Sequence, residues 1–281
     1  MYILGFFDYK DKIENFQSEM FSLNHIIYMI ISLILLIALP IIFRKTNHQK
    51  ISKFLKVNTF IVIISDIIKI VWETYHYYPI HHSYEYTGLL PLYLCSLFMI
   101  TLPFAAFCKG KLKDISLAFL TTVGIVGGLS NVFYLNILNY YPLFHFASLL
   151  SIFYHFMMAF TGIWLLTSGY YKLDKYCSLK AFIPIILLSM IAIPVNIKLN
   201  TDYMLLNHAY GIPFYPQIAD FFISHNVHYL FIIFMFITYI LIGYFIYGLY
   251  NLIKNKCNKK KRYKDQIRSI FPFKKIHKKI N

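Results

Sequence analysis

The sequence predicts an all-α fold, a polytopic membrane bundle of seven transmembrane helices with the N-terminus outside and the C-terminus inside. Three observations carry this. The chain has 281 residues, 58% of them hydrophobic and only 14% charged, whereas soluble domains are nearer half apolar and about a quarter charged. The apolar residues gather in blocks long enough to cross about 30 Å of hydrocarbon at about 1.5 Å per residue. Basic loops alternate with neutral or acidic ones. Tyr and Phe are abundant, 25 and 27. With Ile and Lys also frequent, that composition fits an AT-rich coding bias and carries little functional weight.

Residues 1–22 form an outer N-terminal segment containing Asp8, Asp11, Glu14 and Glu19. A signal peptide would open on a basic stretch, so the first span is expected to act as its own insertion signal. Residues 23–253 form the seven-helix transmembrane domain. Its spans fall at 23–43, 57–78, 88–108, 115–136, 144–167, 180–198 and 227–251. Loop 44–56 carries Arg44, Lys45, Lys50, Lys53 and Lys56, loop 109–114 carries three lysines, and loop 168–180 carries Lys172, Lys175 and Lys180. The intervening loops hold few charges, among them Glu85, Asp202 and Asp220. With seven spans every basic loop falls on one side, the inside by the positive-inside rule.

Residues 254–281 form a basic cytoplasmic tail, with twelve Lys or Arg against Asp265. This tail supplies most of the net charge of +15. Basic residues just inside a span are drawn to anionic lipid by about 1 kcal/mol each. The expected partners are therefore membrane phospholipids, with anionic inner-leaflet lipid at the tail, and not nucleic acid. The apolar "IRSIFPF" adds a shallow membrane contact. Protein partners are not specified by the sequence.

Cys95, Cys108, Cys177 and Cys257 form no CxxC pair, so no zinc site is expected, and since the topology puts only Cys95 towards the outer half, no structural disulfide is expected. His76, His81 and His82 lie close together but lack a Cys or acidic partner at ligand spacing, and no metal or cofactor is expected.

Ionisable groups inside spans cost about 2.5–3.5 kcal/mol each on insertion scales and require a reason. Asp66, Lys69 and Glu73 share one helical face. Asp66 can pair with Lys69, or the face can line a polar cavity. His155 lies about nine residues into the fifth span, roughly 14 Å deep. Cys95 lies about seven residues into the third from the same side, roughly 10 Å. A lone histidine in "SIFYHFMMAF" is ordinarily a packing residue, yet these depths allow a Cys–His pair. A thiol of pKa about 8.5 is mostly protonated at neutral pH. A histidine within hydrogen-bond reach can take that proton and activate the sulfur.

In order along the chain, "LPLYLCSL" (90–97), "VGGLSNVFY" (126–134), "YPLFHFASLLSIFYH" (141–155) and "NIKLNTDYMLLNHAYGIPFY" (196–215) resemble the YwaF family of bacterial integral membrane proteins. The likeness runs from about residue 20 to 245. That family is similar to a eukaryotic seven-span acyltransferase group that moves fatty acyl chains into ether phospholipids with a cysteine and a histidine. The resemblance places the nucleophile at Cys95 and the base at His155. It implies that His25, Glu73, Asn200, Tyr203 and Met204 line the same cavity. Tyr93 lines it where the family pattern reads LPLHLC, which removes a second base, and Asp202 adds a charge at the mouth.

The expected function is thiol-dependent acyl transfer between phospholipids in a bacterial cell membrane. Two alternatives stand beside it. A small-solute transporter would use Asp66, Lys69 and Glu73 as a polar path. A non-enzymatic membrane binding or assembly protein would not need Cys95.

Overall fold

The computed structural model describes residues 5–13, 17–82, 89–210 and 212–270, with backbone alone at Cys257 and from residue 259 onward. Glu14, Glu85 and the tail from residue 271 lie outside the described residues. The described chain is built of α1 (Leu23–Ile42), α2 (His48–His81), α3 (Ser96–Phe107), α4 (Gly110–Thr121), α5 (Val123–Phe133), α6 (Phe146–Thr167), α7 (Cys177–Leu199), α8 (Tyr215–Ser224) and α9 (His228–Ile270). No strand occurs among the described residues.

Side-chain caps set several helix starts by satisfying orphan N–H groups. Ser22 accepts from the His25 N–H (3.3 Å) and Asn47 from the Lys50 N–H (2.9 Å). The His145 ring accepts from the Ala147 N–H (3.2 Å) at the start of α6.

Five stretches are long and apolar enough to cross a membrane: Leu23–Lys45, Gly110–Asn139, Phe146–Thr167, Cys177–Leu199 and His228–Lys256. The expected seven is corrected to five. The expected second span lies within α2, which at 34 residues is long enough. Its lysines, with Asp66, Lys69 and Glu73, dilute the apolar run. The expected third span begins with irregular backbone from Leu90 to Cys95, where Pro91 lacks an N–H to donate. What remains is the 12-residue α3, about 18 Å long. The expected fourth span is two helices. The Thr121 and Thr122 hydroxyls bond back to the Leu117 and Ala118 carbonyls (2.6 Å each), and the chain breaks at Thr122 (φ −125°, ψ −93°).

This broken span is the centre of the bundle. It is 67% buried against 17% for the α1 stretch and 22% for the α9 stretch. Phe98, Phe119, Leu120, Met158, Phe231 and Met235 fill the core around it. The three basic loops gather at one end. There the Trp164 indole donates to the Phe43 carbonyl (3.0 Å), and Lys180 bridges Asp114 (2.8 Å) and Asp174. The backbone of α9 stays helical through Ile270, well past the expected end of the last span.

Small residues let α5 and α6 approach closely, as membrane helices commonly do. A Cβ on Gly128 would stand 2.6 Å from both the Ala159 nitrogen and the His155 carbonyl. A Cβ on Gly162 would strike the Leu120 carbonyl. Gly128→Val is therefore expected to push α5 from α6 and destabilise the fold by about 1–3 kcal/mol. Thermal unfolding in detergent checks this, with Gly248→Ala, which meets nothing within 4 Å, as the neutral control. Equal melting of the two variants would refute the close-contact account.

At the opposite end, residues 5–12 fold back across α2 and the start of α6. The Trp72 indole donates to the Phe7 carbonyl (2.9 Å) and the Phe146 N–H to the Phe6 carbonyl (3.1 Å). Tyr9 is buried against the Trp72 and Tyr77 rings. The His145 Nε2 donates to the Asp8 carbonyl (2.9 Å) while its Nδ1 accepts from Ala147. The two bonds together require the neutral ring. Burial pushes the His145 imidazole below its ordinary range, against the pull of the Asp8 carbonyl.

The undocked chain therefore binds the proton more tightly than the docked one. Docking of this strap is at full strength above about pH 6.5 and weakens as pH falls through the lowered value. His81 also holds the strap, its Nε2 2.8 Å from an Asp11 carboxylate oxygen, so the test removes that contact. In a His81→Asn background, hydrogen-exchange protection of residues 5–12 is expected to fall on acidification, and a further His145→Gln change to flatten the profile. Protection that does not vary with pH would refute the His145 latch.

Candidate active site

Between α2, the irregular segment before α3, and the first half of α6 lies a cavity of about 190 Å³. Each wall has a sequence reason. On α2, positions 65, 66, 69, 72 and 73 fall on one face by helical spacing and bring Ser65, Asp66, Lys69, Trp72 and Glu73 to the cavity. The unwound segment contributes Leu90, Pro91, Tyr93 and Cys95, and the first residue of α3 adds Ser96. From α6 come Phe146, Leu150, Ser151, Tyr154 and His155, again at three- and four-residue spacing. Non-helical backbone at membrane depth is tolerated where it lines a cavity or is held by protein, and both conditions hold here.

Cys95 does not sit within a helix, as a third span through 88–108 requires. It is the residue preceding α3, with φ −65° and ψ −31°. Its carbonyl accepts from the Phe98 N–H (2.9 Å) and from the Tyr154 hydroxyl (3.0 Å). Cys95 is half-buried and lines the cavity at the N-terminal end of a helix, the end that carries partial positive charge.

His155 lines the same cavity. Its Nδ1 lies 2.8 Å from the Ser151 carbonyl, one turn back on α6. A carbonyl oxygen can only accept, so Nδ1 carries the hydrogen and Nε2 is the basic nitrogen. The Ser151 hydroxyl lies 3.5 Å from the same Nδ1. Tyr154 and His155 are neighbours in sequence: one bonds the Cys95 backbone and the other presents a base to the cavity.

Among the described residues, the contact ion pair on the charged face joins Lys69 to Glu73 (3.8 Å), one turn apart, and not Lys69 to Asp66. Asp66 and Glu73 both line the cavity, as does Tyr93. His25, Asn200, Tyr203 and Met204 are outside its lining. His25 is buried at the start of α1, its Nδ1 accepting from the Phe21 N–H (3.0 Å). Tyr203 reaches the site through Tyr93, ring against ring at 5.0 Å. Asn200 ends α7 in the left-handed region (φ 50°). Met204 is buried, and its carbonyl accepts from the Tyr239 hydroxyl (2.5 Å).

Asp202 lies outside the cavity lining. Its carboxylate accepts from the N–H groups of Asn207 (2.9 Å), His208 (2.9 Å) and Tyr210 (3.0 Å) and folds the loop after α7. Asn196 anchors the other side of that loop. Its amide accepts from Tyr203 (2.8 Å) and Thr201 (2.9 Å) and donates to the Tyr203 carbonyl (3.0 Å). The signal for Asn196 was an amide inside the apolar run "IAIPVNI". The signal for Ser151 was a hydroxyl four residues before His155, on the same helix face.

Chemically the cavity offers a thiol, an imidazole with one basic nitrogen, and a carboxylate–ammonium face, in mostly apolar walls. Among the described residues no three His, Cys, Asp or Glu side chains converge to hold a metal.

Neither a curated protein nor a solved structure matches the chain. The motif order led to an expected likeness to the YwaF family; the family model that matches is that of the TMEM164 family, over residues 20–245. That range contains every residue lining the cavity. The chain is a multi-pass membrane protein and belongs to the TMEM164 family, a family of membrane proteins.

Proposed function

We propose that the protein is a thiol-dependent acyltransferase acting between phospholipids, with Cys95 as nucleophile and His155 as general base. One observation carries the reading: Cys95 and His155 line one cavity, and the Ser151 carbonyl fixes the imidazole with Nε2 basic. In the first half-reaction His155 Nε2 takes the thiol proton and the sulfur attacks the ester carbonyl of a donor phospholipid. The carbon–sulfur bond forms, the ester carbon–oxygen bond breaks, and the imidazolium returns its proton to the departing lysophospholipid oxygen. In the second, His155 takes the proton of an acceptor hydroxyl. That oxygen attacks the thioester, the carbon–sulfur bond breaks, and the thiolate is reprotonated. No oxidant, metal or cofactor enters the balance.

The finer placement belongs to the same proposal: a bacterial cell membrane, kinship with the YwaF proteins, an outer N-terminus, and a basic tail on anionic inner-leaflet lipid. The clustering of the three basic loops at one end of the bundle supports that orientation.

A second reading, transport of a small solute, draws on Asp66, Lys69 and Glu73 facing the same cavity. It requires that neutralising the charged face abolish function while Cys95→Ser is silent.

The test uses native membranes and a lipid-like acyl-phosphonate or alkylating probe, with the adduct located by peptide mass spectrometry. Labelling is expected at Cys95, to be lost in Cys95→Ser, and to slow by about 10²–10⁴-fold in His155→Ala, the usual worth of a general base. A Cys95 that stays unlabelled while the probe reaches other sites in the bilayer would overturn the acyl-transfer reading.

A further inference from the structure

At the end of the bundle where the basic loops gather, a second, wide-open surface cavity lies between the start of α2 and the start of α4. On α2, Ser52 and Lys53 stand three and four residues after Gln49, and Lys56 stands four and three after them, so the four share one helix face, with His48 beside them. Lys113 of α4 and Tyr170 close the other side over Leu117. Lys113 donates to the Tyr170 hydroxyl (3.0 Å), and the His48 ring packs edge-on against Tyr170 (5.2 Å). Among the described residues the lining holds three ammonium groups and several neutral polar groups but no carboxylate. The acid next in sequence, Asp114, is engaged elsewhere by Lys180 (2.8 Å) and the Tyr171 hydroxyl (2.8 Å).

We infer that this cavity is a headgroup site for a phospholipid carrying two or more negative charges. Charge complementarity sets the sign and number: Lys53, Lys56 and Lys113 point three cations into one space, and a multiply charged phosphate neutralises them better than a single diester. The adjoining surface identifies a lipid over a free phosphate. One turn along α2 from Lys53 and Lys56, Val57 and Phe60 are exposed, and Phe60 packs edge-on against Phe107 of α3 (6.2 Å), itself exposed. Lys56 lies over that same Phe107 ring (5.7 Å). A headgroup in the cavity would thus hang its acyl chains along an apolar stripe that starts at its edge. The site is separate in the chain from the Cys95 cavity and from the tail, and it stands whether or not the protein transfers acyl groups.

The experiment uses the full chain in phosphatidylcholine vesicles doped with phosphatidic acid bearing a photoactivatable group in its acyl chain. Adducts are mapped by peptide mass spectrometry. Adducts are expected between residues 57 and 64 or between 104 and 107. Lys53→Gln/Lys56→Gln should reduce them about 25-fold, about fivefold per lysine, the factor that matches roughly 1 kcal/mol for each basic residue at a membrane. Lys53→Arg/Lys56→Arg should restore them. Both lysines are exposed, so neither change threatens the core. Three results would overturn the inference: equal labelling by a phosphatidylcholine probe, adducts confined to residues 254–281, or displacement of the lipid by inorganic phosphate, which would mark a soluble-anion site.

Discussion

The hydrogen bond from the Tyr154 hydroxyl to the Cys95 carbonyl is the contact on which the site depends. A chain in hydrocarbon must satisfy its backbone polar groups internally, and a break in a helix leaves carbonyls without partners. The break before α3 is such a place. Tyr154 gives the Cys95 carbonyl a second donor beside the Phe98 N–H, this one from another helix, and pins the unwound segment to α6. Because His155 follows Tyr154 directly, the same stretch of α6 that repairs the break also carries the imidazole to the cavity. Gly128 then brings α5 against the backbone of α6 at His155 and Ala159, which fixes the helix from behind. A polar repair on one side and a close apolar contact on the other hold one turn of helix in place.

Much of this was legible in the residues, and the parts that were not share a cause. The apolar blocks at 23–43, 144–167, 180–198 and 227–251 became long helices because length and hydropathy decide such segments almost alone. The face of Asp66, Lys69 and Glu73 was legible because helical spacing is fixed. The stretch 88–108 misled because hydropathy sums side chains and is blind to backbone. "LPLYLC" is as apolar as a helix, yet its Pro91 removes a donor and the chain there runs irregularly into α3. Cys95 consequently stands at a helix end and not two turns inside one. The threonine break at residue 122 escaped for the same reason, being a contest between hydroxyl and amide for carbonyls.

Polar residues that organise loops were harder to weigh than those in spans. Asp202 and Asn196 bind backbone groups several residues away, and nothing in their spacing announces which N–H groups they will meet. The strap of residues 5–12 was invisible because its bonds run from main chain to Trp72, His145 and Phe146, more than sixty residues distant. Composition marks such a segment as charged and terminal, not as docked.

The strap and the cavity make sense together under the acyl-transfer reading. A cavity of about 190 Å³ is smaller than the roughly 300–1,000 Å³ of pockets that enclose a drug-sized ligand. It can admit the ester end of a lipid but not a whole chain, so the acyl tail must stay along the bundle's apolar outside. A thioester in such a site is consumed by whichever hydroxyl arrives first, and water is the competitor that has to be kept away. Trp72 and Phe146, which line the cavity, are the residues that the Phe6 and Phe7 carbonyls hold. The strap thereby packs over the cavity wall with aromatic rings and main-chain bonds, at the end of the bundle away from the basic loops. Loosening it should raise hydrolysis relative to transfer while leaving the Cys95–His155 chemistry intact, since neither residue bonds to the strap.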